Sequence, residues 1–132
     1  MIQSSAQALV ILQDQHLPEN PRTEAAHFLA TDASANSIAA LVTALRDADH
    51  GVRWAAGTAL ALLGEPAMHA VLSALLQPNV GKTLRDGVLH VLTDNRSAHV
   101  RLLSVPLVKA LKGPEADIAA MQEAAKLLPR FR

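Results

Sequence analysis

The stretch LVTALRDADHGVRWAAGTALALLG, residues 41–64, decides the fold. It reads as a helix, a short polar turn and a second helix closed by Gly64. Val71 to Asp94 repeats that plan about 31 residues later. A short recurring unit cannot bury its apolar face alone, so its copies stack. The expected architecture is an all-α α-solenoid of about four antiparallel helix pairs, forming one domain over residues 1–132.

Outward from this stretch the 3.6-residue periodicity predicts eight helices. They lie at about 4–16, 21–31, 36–46, 50–63, 66–77, 80–93, 98–112 and 115–128. Paired, they span about 4–31, 36–64, 65–94 and 98–129. Asn20 and Asn79 are expected N-caps, with Pro21 at a first helical position. Pro106 falls inside the seventh helix. Arg22, Arg53 and Arg85 recur at spacings of 31 and 32 residues, and Asp47 and Asn79 each stand six residues before the last two. No Asp or Asn precedes Arg22 in that way, because His16 occupies the position.

Alanine and leucine dominate a chain that is 50% hydrophobic, enough for a continuous core of closely spaced helices. Twelve basic residues balance twelve acidic ones, and aromatics make up 2%. Neither a global field nor a stacking platform favours nucleic acid. Cysteine is absent, which removes disulfides and thiolate chemistry and fits a reducing compartment. The N-terminus lacks a basic region and is a poor signal peptide. No apolar run reaches the roughly 18–20 residues needed to span a bilayer. The expectation is a cytoplasmic protein with no membrane contact, a monomer or a weak oligomer.

The residues Leu41, Ala44, Leu45, Asp47, Val52, Arg53, Ala55, Ala56, Ala59, Leu60, Leu63 and Gly64 resemble the HEAT-repeat family, in particular the short bacterial HEAT-like repeats also found in phycobilin lyases. Val105-Pro106-Leu107 resembles the proline that kinks the family's first helix. The resemblance is strong over 37–94 and weaker at both ends. It implies a superhelix whose second helices (the second, fourth, sixth and eighth) line the concave face. It also implies an Asp–Arg pairing, and interaction scaffolding more often than catalysis.

At 100° per residue, Val52, Ala56, Ala59 and Leu63 form the core stripe of the fourth helix, and Trp54, Thr58 and Ala61 lie opposite, beside Gly57. Transferred by the arginine register, the outward rows are Thr23, Trp54 and Asp86; His27, Thr58 and His90; and Ala30, Ala61 and Thr93. Trp54 is the sole tryptophan, and an exposed indole marks a recognition anchor. The plainer alternative is an indole packed against a neighbouring helix. The candidate binding surface is Trp54 with His27, Thr58, Asp86, His90 and Thr93. His27 and His90 would stand about two repeats apart, too far to share a metal or a proton. Arg22, Arg53 and Arg85 could form a phosphate ladder. The structural reading is preferred, with Asp47 and Asn79 accepting their hydrogen bonds.

None of the six histidines pairs at helical metal spacing, and none neighbours a glutamate. No catalytic residue, metal site or cofactor is expected. The function that fits is a non-enzymatic scaffold binding a protein partner. The rival is an accessory or catalytic subunit of a lyase-like enzyme, with a small-ligand site in the groove and Asp86 as its acid or base.

Overall fold

A computed structural model describes residues 1–131. Those residues form nine α-helices and no strand. They are α1 (Ser5–Gln13), α2 (Glu19–Phe28), α3 (Ala35–Ala44), α4 (His50–Leu63), α5 (Glu65–Ala74), α6 (Lys82–Thr93), α7 (Ala98–Leu103), α8 (Val105–Lys112) and α9 (Ala116–Leu127). A 3₁₀ turn at Leu29–Thr31 extends α2, and another at Leu128–Arg130 follows α9.

The helices pack in two layers. One row runs α1, α3, α5, α9, and the other runs α2, α4, α6, α8. A single apolar cluster fills the space between the layers, with Leu12, Leu29, Leu41, Leu60, Leu72, Leu92 and Leu107 almost fully buried. The first three pairs follow the expected order. The last does not: α8 lies beside α6, and the final helix α9 lies beside α5. The helix at 116–127 therefore does not belong to the second-helix row, contrary to expectation. The helix that starts after the Ser104 break takes that place.

The seventh predicted helix is two helices. Pro106 lacks the N–H that an uninterrupted helix would need, so the chain breaks at Ser104 and restarts with Pro106 in the first turn of α8. Two capping expectations also change. The backbone enters α2 at Glu19, with Pro18 as its cap, so Asn20 is already helical and Pro21 is third in the helix. A proline is tolerated there because first-turn N–H groups have no helical acceptor. Gly81, not Asn79, caps α6. Asn79 adopts φ 63°, a left-handed turn conformation that asparagine accepts more readily than most residues. Gly64 closes α4 as expected, at φ 72° and ψ −135°, a region essentially closed to residues with a Cβ.

The turn before α4 ties the first two units together. Asp47 is buried, and its carboxylate does not meet Arg53. It accepts from Arg22 of the preceding unit, at 2.5 Å from Nη2 and 3.0 Å from Nη1, and from the Asp49 amide at 2.9 Å. Arg22 is 1% exposed and also donates to the Leu12 carbonyl, at 2.8 and 3.1 Å. The partner missing upstream of Arg22 is thus supplied 25 residues downstream. Arg53 donates to the carbonyls of Asp47 and Ala48, at 2.7 and 3.2 Å. Arg85 makes the corresponding bond to Val80, at 3.2 Å, rather than to Asn79. All three guanidinium groups are thus bonded to turn carbonyls or carboxylates of the chain itself. Arg53→Ala is expected to cost about 1 kcal/mol, the scale of a partly exposed charged hydrogen bond, on chemical denaturation.

Two aspartates link this framework to pH. Burial opposes ionisation of Asp47 and is its largest single influence, but the Arg22 hydrogen bonds and charge, the Asp49 amide and Gln15 together outweigh it and lower its pKa. The Ser37 hydroxyl and the Ser34 amide hold Asp32 far below the usual carboxylate range. Both groups hold protons less tightly folded than unfolded. Their stabilisation is present above the unfolded carboxylate value of about 4 and is lost as pH falls through the lower folded values. Thermal unfolding followed from neutral pH to strong acid should show Tm falling below about pH 4. Asp47→Asn should flatten that fall. An unchanged slope would exclude Asp47 as a source.

Candidate recognition face around Trp54

α4 is flanked by α2 on one side and α6 on the other, so more of its circumference is covered than a single apolar stripe implies. Val52, Ala55, Ala56, Ala59 and Leu60 are buried as their spacing requires. Gly57 and Ala61, placed outward by the angular reading, are buried too. Their small size admits the neighbouring helices closely. The third outward row is therefore not a surface: Ala30 and Ala61 are buried, and only Thr93 is exposed.

Trp54 is 56% exposed, the largest side chain left open on α4. Its indole stacks on the imidazole of His90 from α6, with ring centroids 4.0 Å apart and planes inclined by 19°. His90 in turn is pressed onto Gly57. A Cβ at that glycine would stand 2.5 Å from His90 Nδ1. His90 Nε2 lies 3.1 Å from Asp94 Oδ2, but in an orientation that forms no hydrogen bond. The His90 side chain is thus only 10% exposed. It is a wedge between α4 and α6 that supports one face of the indole.

The remaining candidates divide. Asp86 borders the same cleft as Trp54, but it is exposed and paired with Lys82 at 2.7 Å. This is a solvated i,i+4 surface pair and not a desolvated acid. Thr58 is half-buried and His27 is exposed. Thr93 lines a different groove, between α6 and α8. The cleft bounded by His50, Arg53, Trp54, Asp86 and His90 measures about 210 Å³. That is below the roughly 300–1,000 Å³ usual for small-ligand sites. Among the described residues no group of three His, Asp or Glu could hold a metal ion, and no helix is long and apolar enough to cross a membrane.

Gly57→Ala tests the wedge. The added methyl would displace the packed His90 ring, and the roughly 1 kcal/mol by which alanine favours a helix over glycine offsets that cost. Stability should therefore stay within about 1 kcal/mol of wild type while Trp54 emission changes as its stack is lost. Unchanged emission would mean that His90 does not hold the indole.

Periodicity missed Asn95 and Arg101. Asn95 is buried, its Oδ1 accepts from the Ser97 amide at 3.0 Å, and Arg101 donates to its carbonyl. This repeats the Asp47–Asp49–Arg53 turn, with Ser97 and Asp49 at the matching N-cap positions of α7 and α4, although only the Ser97 hydroxyl accepts from its helix, from the Val100 amide. The signal was present as another six-residue spacing, Asn95 to Arg101, but it comes 16 residues after Arg85 instead of about 31. Only the short α7 separates the second-row helix α6 from the next, α8.

A family model described as HEAT repeats matches residues 6–93, up to the last residue of α6. Its end coincides with the point where the row order inverts. No curated protein matches the chain.

Proposed function

We propose that this chain, which belongs to the HEAT-repeat family, is a non-enzymatic scaffold that binds a protein partner through the face carried by α2, α4 and α6, with Trp54 as its anchor. The observation that carries this reading is a sole tryptophan, more than half exposed, whose ring orientation is set by a stack on His90. A flat aromatic surface held in place before binding loses little conformational freedom when covered, and such residues dominate interface energies. His27, Thr58 and Asp86 supply a polar surround that would exclude water from the contact.

The lyase-like alternative would require a small ligand in the cleft beside Trp54, whose volume of about 210 Å³ suits it poorly. Affinity capture from the source cell, with wild type against Trp54→Ala, separates the two readings. A stoichiometric protein recovered by wild type and lost with the variant supports the scaffold. Equal recovery by both, or retention of a small molecule alone, would overturn it.

A further inference from the structure

We infer that the groove between α6 and α8 is a second docking site, for an acidic amphipathic segment of a partner protein that places apolar side chains on its floor and carboxylates at its rim. The groove measures about 680 Å³; Val105 and Val108 form its open apolar part, over the buried Leu92. Arg101, Lys109 and Lys112 stand around it, and no carboxylate lines it. Val105 is 60% exposed, so apolar surface is left open beside the cations.

The charge is local to this part of the chain. The protein is neutral overall, yet residues 95–114 contain Arg96, Arg101, Lys109 and Lys112 and no Asp or Glu. The other two lysines, Lys82 and Lys126, each pair with a carboxylate one turn away. Lys109 and Lys112 form no ion pair among the described residues. Their place in the last turn of α8 suits the helix dipole, which accounts for two cations but not for the open valine. An apolar floor rimmed by two unpaired lysines is complementary to a helix carrying leucines at i, i+3 and i+4 beside glutamates. Free phosphate or nucleic acid would use the cations and leave the floor bare. The row α2, α4, α6, α8 also makes this groove continuous with the face that carries Trp54, although the site does not depend on that residue.

The test uses a labelled helical peptide with leucines at i, i+3 and i+4 flanked by glutamates, titrated onto the full chain by fluorescence anisotropy. Saturable binding should weaken about ten-fold or more when the peptide glutamates become glutamine, when Lys109→Glu and Lys112→Glu are combined, and when Val105→Asp is introduced. Trp54→Ala should leave it unchanged. The glutamine peptide leaves the protein untouched, so a folding defect cannot imitate the result. Amide shifts on binding should fall on the end of α6 and on α8. No saturable binding, equal binding of the glutamine peptide, or shifts centred on α4 would overturn the inference. So would equal affinity for a phosphatidylserine vesicle or an oligonucleotide that ignores Val105→Asp. A positive result with an inactive Trp54 face, or the reverse, would separate the two sites.

Discussion

Asp47→Ala is expected to lower the unfolding free energy by about 3–5 kcal/mol, the largest stability effect of any single substitution in the first two units. The Asp47 and Arg22 side chains are each 2% exposed, and the carboxylate receives both terminal nitrogens of the guanidinium. Removing the carboxylate leaves a buried cation with only the Leu12 carbonyl and the more distant Asp49, at 3.5 Å. The loss measures an orphaned charge, not the net worth of the pair. Combining Arg22→Met with Asp47→Leu should therefore recover much of it, because an apolar pair of similar volume removes the desolvation penalty as well. Urea denaturation of the two singles and the double gives the cycle. A loss below about 1 kcal/mol for Asp47→Ala would mean that the pair is solvated and does not join the units.

Trp54→Ala is expected to weaken partner binding by at least about 2 kcal/mol, roughly thirty-fold, while changing stability by less than about 1 kcal/mol. The asymmetry follows from burial. A packed core tryptophan cut to alanine costs about 3–5 kcal/mol, but more than half of this one faces solvent and one ring face stacks on an imidazole. What the free chain leaves open is what a partner can cover.

How far the sequence carried these conclusions differs from element to element. The bounds of α4 were legible because its ends are chemical: a polar turn before it and Gly64 after it. The outward angle of Trp54 was legible because the core stripe of α4 is unambiguous. The burial of Gly57 and Ala61 was not. Periodicity measures angle about one helix axis and is silent on how closely the next helix approaches, and residues without bulk admit the closest approach. His90 illustrates the same limit, since its burial comes from a glycine on another helix. The partner of Arg22 was hidden for a different reason. The six-residue spacing lies within one unit, whereas this bond crosses to the next. The last pair was unreadable because the repeat changes its period there: the Asn95–Arg101 turn opens the short α7, which leads into the second-row helix α8 where a first-row helix was due. Pro106 was read correctly as a disturbance, and the structure makes it a full break.

The scaffold reading stands on the claim that a partner covers the indole of Trp54. Because the chain holds one tryptophan, 5-fluorotryptophan labelling places a single ¹⁹F probe at that position. The labelled chain is titrated to saturation with the unlabelled protein recovered by capture, and the ¹⁹F resonance is followed together with its sensitivity to exchange of H₂O for D₂O. The account predicts one solvent-sensitive resonance in the free chain that shifts on binding and loses that sensitivity. A resonance that stays in place and remains solvent-sensitive at saturation would contradict it.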